Sequence, residues 1–456
     1  MDGILNIFSY VGWVLLAIMI LVFVHELGHF LLAKLFKMRV EKFSVGFPPK
    51  VIGKKVGETE YVLGLTPLGG YVKIVGMVDE SMDAETMYSE PQPWEFRSKP
   101  VWQRILVIVA GVVFNMILAA AVFISLKATY GEAYVPNLGN VAVADSSIAW
   151  EMGLRSGDEL LAINGRPVNE RAGLETVERA LIESPLVVQV RRDGGVQEFS
   201  GPSDMITRLN RAEGRLGLSW DPPVIGQVTE GSPAAAIGLM PGDVILSIGA
   251  DSIAYWTDIT STLTDFEGGD VAIRFRRPDS VAVSPPGATS LGAGPGGTNY
   301  QTIVTPDDDG SRHVLGVRQL VRVREYDFLP AVSAGLSDTW TNTRVIASSL
   351  KRVFTGQENF RENVGGPIMI AKVTKEAADA GAPFFWNIVA MLSITLAIIN
   401  ILPIPALDGG HLVFLIYEGI VRREPSLKVR MVMQQIGMVL LLVFMVFVIF
   451  NDILKL

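Results

Sequence analysis

The chain has 456 residues, about three domains on a length prior, with 39 basic and 47 acidic side chains and a net charge of −8. The basic residues form no single patch, which argues against a nucleic-acid partner, and the absence of cysteine excludes disulfides, thiolate metal sites and cysteine nucleophiles. Hydrophobic residues make up 49% and charged ones 19%, mean hydropathy is +0.36, and the imidazoles are limited to His25, His29, His313 and His411. That balance points to a membrane protein.

In chain order, Val11 to Phe36 is the first nearly continuous apolar run, followed by Ile105 to Leu126, Phe384 to Leu402 and Met431 to Phe450. Each has about the 20 residues that cross the hydrocarbon core as a helix. The first lacks a basic n-region and a small-residue cleavage site, so it reads as a retained span rather than a signal peptide. Lys34, Lys37, Arg39, Lys42, Lys50, Lys54 and Lys55 follow it, and Arg97, Lys99 and Arg104 precede the second span. The positive-inside rule therefore places residues 35–104 in the cytosol and the long 128–380 stretch outside. Arg422, Arg423, Lys428 and Arg430 return the loop between the last two spans to the cytosol.

Residues 128–326 read as soluble, repeated material. Gly153-Leu-Arg-Ser-Gly-Asp-Glu-Leu-Leu-Ala-Ile recurs 85 residues further on as Gly238-Leu-Met-Pro-Gly-Asp-Val-Ile-Leu-Ser-Ile. Each copy is a Gly-Asp turn leading into an apolar strand, and it resembles the circularly permuted bacterial PDZ domain. Such folds take a peptide by adding a strand to an exposed edge, and a bulk filter that binds no peptide is the plainer role. Pro285 to Thr298 is a Gly/Pro-rich insert read as a flexible loop between strands. Residues 327–380 are amphipathic and helix-like, with Trp340, Val345, Ile346, Leu350 and Val353 at helical spacing. They read as a helix lying on the outer leaflet, or as one packed on the second repeat.

The chemistry lies in Val24-His25-Glu26-Leu27-Gly28-His29, inside the first span. HExxH on a helix stacks two imidazoles at i and i+4 on one face, which suits a single tetrahedral Zn2+, with Glu26 beside them as a base toward water. Two histidines and a glutamate at membrane depth are costly without a function. His25 lies nine residues before Lys34, about 14 Å inside the charged flank, so the chemistry is within the bilayer toward the cytosolic side. A third ligand is needed. Asn400-Ile-Leu-Pro403-Ile-Pro405-Ala-Leu-Asp408-Gly409-Gly410-His411 interrupts the third apolar region with two prolines and two glycines. Non-helical backbone at that depth belongs where a cavity reaches it. Asp408 is the natural third ligand; His411 competes for that place on chemistry alone and otherwise hydrogen-bonds or packs beside the ligand, and His313 reads as an ordinary surface residue.

HExxH in the first span, the NxLPxPxLDGG segment and the inserted repeats together resemble the site-2 protease family of intramembrane zinc metalloproteases, over essentially the whole chain. The resemblance implies that His25, His29 and Asp408 hold zinc, that Glu26 is the general base, and that Asn400 contacts the substrate backbone or steadies the oxyanion. It also implies that Gly111 and Asn115 pack against the catalytic helices, and that Gly64 to Ile74 forms a β-hairpin dipping toward the site. Residues 359–368 match the family segment before the third span.

The expected fold is a polytopic α-helical membrane protein, with four transmembrane helices, a zinc site within the membrane and two inserted PDZ-like α+β domains. Its divisions fall at 1–127, 128–221, 222–326, 327–380 and 381–456. The expected activity is cleavage of the transmembrane segment of single-pass substrates, pre-trimmed anti-sigma factors or signal-peptide remnants by resemblance. The setting is a bacterial inner membrane, with the repeats periplasmic, the lipid bilayer as a partner and no nucleic acid. One alternative is a PDZ-based membrane scaffold with a vestigial metal site. Another is an HExxH protease with a downstream Glu as third ligand, cutting outside the bilayer.

Overall fold

The computed structural model describes residues 2–77, 90–134, 141–144, 146–168, 186–212, 216–219, 222–281, 283–294, 296–308 and 313–455. Their contacts divide the chain into one unit of residues 1–131, 325–353 and 359–456, and another of 132–324 and 354–358.

The first unit opens with helix α1 (Asp2–Leu35), apolar enough from Tyr10 onward to cross a membrane. Two long strands follow, β1 (Val40–Val56) and β2 (Thr59–Ile74), joined at Gly57-Glu58. Lys42 to Val45 of β1 lie between two stretches of β2, pairing with Glu60 to Leu63 on one side and Gly70 to Lys73 on the other. The hairpin expected over Gly64 to Ile74 is therefore corrected in its pairing. Its two short strands do not pair with each other, because β1 inserts between them, and residues 70–74 form one edge of the sheet. The charged run from Lys50 to Lys55 is strand, with Lys50 ion-paired across the ladder to Glu60. Helix α2 (Val101–Tyr130) is the second apolar helix. Met38, Val40, Phe43, Val72 and Ile74 pack with Ala33 of α1 and Val107 and Ile108 of α2, seating the sheet against both helices.

The second unit repeats one design. Its first copy has strands β3 (Glu159–Ile163), β4 (Val187–Arg192) and β5 (Gly195–Ser200), then helix α3 (Met205–Arg211). Its second has β6 (Val244–Ile248), helix α4 (Trp256–Thr264), β7 (Val271–Pro278), β8 (Thr289–Gly294) and β9 (Gly297–Val304). The sheet orders correspond: residues 166–167, β3, β4, β5 in one, and residues 251–252, β6, β7, β9 in the other, with β8 added at the edge. The insert is thus corrected from a flexible loop to the outer arm of a hairpin, because residues 289–294 find partners along β9.

The Gly-Asp turn has the same job in both copies. Asp158 accepts Arg192 Nε at 2.7 Å and the Arg155 N–H at 2.9 Å, while Arg192 Nη2 reaches Gly153 O at 2.9 Å. Asp243 accepts Arg277 Nε at 2.9 Å and the Met240 N–H at 2.9 Å, while Arg277 Nη2 reaches Gly238 O at 2.7 Å. A charge-assisted clamp thus ties each turn to the second strand of its sheet, over separate apolar cores centred on Ile163 and Val188, and on Ile245 and Phe275.

The first unit resumes with the amphipathic helix α5 (Phe328–Phe354). Gly335 lets it approach the Ile124 backbone of α2, and Lys127 pairs with Asp338 at 3.0 Å. Phe328, Leu329, Leu336, Trp340 and Phe354 stay exposed on it. After one helical turn at Phe360–Asn363 come α6 (Pro367–Ala380), α7 (Ala382–Ile401), α8 (Asp408–Val421) and α9 (Leu427–Lys455). Helices α7 and α9 are the third and fourth apolar helices, so the four expected spans are present in length and composition. Ala17 and Leu21 of α1 pack with Phe385 and Val389 of α7, and Ala119, Val122 and Phe123 of α2 pack with Ala390 and Ile394. Helix α7 is thereby held beside both N-terminal spans.

Candidate active site

Helical spacing in α1 puts His25 and His29 on one face, with ring centroids 4.9 Å apart and Nε2 atoms 3.2 Å apart. Helix α7 cannot continue past Ile401, because Pro403 and Pro405 lack the N–H groups a helix needs. The chain turns through 402–407 and restarts at Asp408, in the first turn of α8. Gly409 is required there, since a Cβ would collide with the carbonyls of Ile401 and Leu402. This break brings Asp408 Oδ2 to 3.1 Å from His25 Nε2 and 3.4 Å from His29 Nε2.

These three residues are the group of His, Asp and Glu side chains, among those described, whose donor atoms converge as metal ligands do. Ligands at about 2.0–2.1 Å around a tetrahedral ion stand about 3.3 Å apart, which is the spacing seen. His29 Nδ1 donates to Val107 O at 2.8 Å, so its Nε2 presents a lone pair to the cluster. Asp408 Oδ2 is buried and has no hydrogen-bond partner among the described residues. Lone pairs turned on one another at this distance fit a cation between them. Gly111 of α2 leaves the space for one: a Cβ there would lie 2.5 Å from His29 Nε2 and 2.7 Å from His25 Nε2. The donor set, two imidazoles and one carboxylate, suits zinc with a position left open.

A cavity of 210 Å³ surrounds the cluster, lined by Glu26, Asn400 and His411 together with Gly69, Gly70 and Tyr71 from the sheet edge. Glu26 and Asn400 are both 9% exposed, so they face the cavity from a mostly dry setting. Asn400 Nδ2 lies 3.3 Å from His25 Nε2. All five residues singled out in the sequence (His25, Glu26, His29, Asn400 and Asp408) therefore meet in one place. No downstream glutamate joins the donor group among the described residues. His411 lines the cavity outside it, its Nε2 at 3.4 Å from Gln434 Nε2, and His313 lies elsewhere, edge-on to Phe266. Sequence reasoning missed the Val107 carbonyl, which no side-chain pattern announces, and Gln434, one of two adjacent glutamines near the start of α9.

A family model, Peptidase family M50, matches residues 13–444. The chain belongs to peptidase family M50, the site-2 proteases. It is 31% identical to the regulator of sigma-E protease RseP of Escherichia coli, over 96% of this chain and 97% of that one. It is 29% identical to the regulator of sigma-E protease RseP of Salmonella typhimurium, covering 96% and 97%. A Neisseria meningitidis protein named as a candidate zinc metalloprotease is 28% identical, covering 96% and 98%. As an M50 member with four apolar helices, this chain is a multi-pass membrane protein and a zinc metalloprotease of the site-2 type.

Proposed function

We propose that the protein cuts the transmembrane segment of single-pass substrates inside the bilayer of a bacterial inner membrane, with His25, His29 and Asp408 as the zinc ligands. The observation that carries this reading is the convergence of three buried donor atoms, 3.1–3.4 Å apart, inside an apolar helix bundle. When bound, zinc supplies Lewis acidity, acidifying a water and polarising the peptide carbonyl. Glu26 takes the proton of the attacking water and delivers it to the leaving nitrogen. The Asn400 carboxamide donates a hydrogen bond to the carbonyl oxygen as it gains charge.

A peptide bond inside a helix is shielded, so the substrate must unwind before attack. The sheet edge that ends at residues 70–74, whose Gly70 and Tyr71 line the cavity, offers backbone on which an unwound segment can add as a strand. Loop charges support a cytosolic placement for the sheet and a periplasmic one for the two repeats. The repeats, read as PDZ-like domains, would screen substrates by ectodomain size. A pre-trimmed anti-sigma factor is the substrate class this reading favours, and the relatives named for sigma-E regulation support it.

The test is cleavage of a reporter transmembrane segment by purified protein in detergent, beside Glu26→Gln, with zinc counted in both. Cleavage by the parent alone, with about one zinc in each, is expected. Zinc-free protein that leaves several such segments intact would overturn the reading.

A further inference from the structure

Three residues of α2 stand at four-residue spacing against the histidine face of α1. Val107 accepts from the Nδ1 of His29, Gly111 leaves room at the cluster, and Asn115 lies beside the Nδ1 of His25 at 3.2 Å. Asn115 is completely buried, and its backbone carbonyl is held by Ser393 Oγ of α7 at 2.8 Å. Its side-chain Oδ1 has no hydrogen-bond partner among the described residues, while its Nδ2 faces the imidazole.

The two ends of a carboxamide have the same shape, so hydrogen bonding decides which one faces the ring. With Nδ2 toward His25, the imidazole must accept at Nδ1 and carry its proton on Nε2. That proton would point at His29 Nε2 and Asp408 Oδ2, and the Asn115 oxygen would stay buried and unpaired. With the amide turned over, Oδ1 accepts the Nδ1–H and Nε2 is left with a lone pair toward Asp408 and His29. Only the second arrangement satisfies the orphaned oxygen and leaves His25 able to bind a metal.

We infer that Asn115 is a positioning residue whose side-chain oxygen accepts the Nδ1–H of His25 and thereby turns the Nε2 lone pair of that ring onto the metal. Helix α2 then supplies the outer hydrogen bond to both histidines, by a carbonyl for His29 and by a side chain for His25. The inference rests on the zinc reading above and adds the group that sets the His25 tautomer.

The experiment uses the full-length protein in detergent, stripped by chelator and titrated with zinc against a competing chelator, as parent, Asn115→Leu, Asn115→Asp and His25→Ala. The visible spectrum of each cobalt-loaded protein is recorded in parallel. Leu keeps the size and removes the acceptor, so zinc affinity should fall about 10–100-fold, with a shifted cobalt spectrum and an unchanged melting profile. Asp can only accept when ionised, so it should restore affinity to the parental level or above. Parental affinity in Asn115→Leu, or a loss of tenfold or more in Asn115→Asp, would overturn the inference, and the Asp variant decides alone if the Leu variant does not fold. A parent that binds no zinc, or a His25→Ala protein that binds it as the parent does, would instead sink the zinc reading itself.

Discussion

His25 Nε2 and Asp408 Oδ2, from opposite ends of the chain, stand 3.1 Å apart. Neither local sequence nor helix geometry links them. The break between α7 and α8 does, by turning the chain back under the cluster. Replacing Asp408 by Ala leaves two imidazoles, too few to hold zinc tightly. Zinc content should fall well below one per chain, and cleavage by at least about 10²-fold, with the helix content unchanged by circular dichroism. Full metal occupancy in that variant would mean that another group is the third ligand.

Gly111 gives a steric test of the same site. A Cβ there would enter the space between the two Nε2 atoms, whereas one at Gly12 would meet nothing within 4 Å. Gly111→Ala should lower zinc stoichiometry and activity together, and Gly12→Ala should leave both at the parental level. Metal analysis of the two proteins checks this directly.

At the far end of α9, Asp452 takes three backbone donors at the start of α6: the N–H groups of Gly366 at 2.7 Å, Ile368 at 3.0 Å and Met369 at 3.1 Å. Asn451 Nδ2 adds bonds to the carbonyls of Arg361 at 2.9 Å and Val364 at 3.2 Å. Asp452→Ala would orphan three N–H groups at a helix start, costing about 1–3 kcal/mol. Hydrogen exchange should speed up at residues 366–369 before it does in α2, and Asp452→Asn should show a smaller effect because one acceptor remains.

In the first repeat, burial alone would raise the Asp158 carboxyl. The Arg192 guanidinium and the Arg155 N–H outweigh it and hold the group below the usual carboxylate range. A carboxyl depressed by folding stabilises the folded state above its unfolded value of about 3.9, and that contribution is lost as pH falls through the folded value. Exchange protection of β3 and β4 should therefore weaken below about pH 4 in the parent. Asp158→Asn should cost about 2–4 kcal/mol at neutral pH and flatten this pH dependence.

Four apolar runs, the HExxH spacing and the repeated Gly-Asp turn were legible as sequence, because hydropathy and i to i+4 geometry are local. Membrane-span length, the shared face of His25 and His29, and the proline break before Asp408 each depend on a few neighbouring residues. The threading of β1 between the two halves of β2 was not legible, since pairing partners are chosen by non-local packing of Phe43, Val72 and Val107. The strand at 289–294 was hidden for a like reason: a Gly/Pro-rich run becomes a strand when β9 offers it an edge. What the chain alone determined is the set of side chains that could build the site. Only the tertiary structure decided that Asp408 meets the histidines, that Gly111 leaves the gap and that Asn115 and Val107 face their outer nitrogens. Those are distances between separate helices, and helix packing sets them.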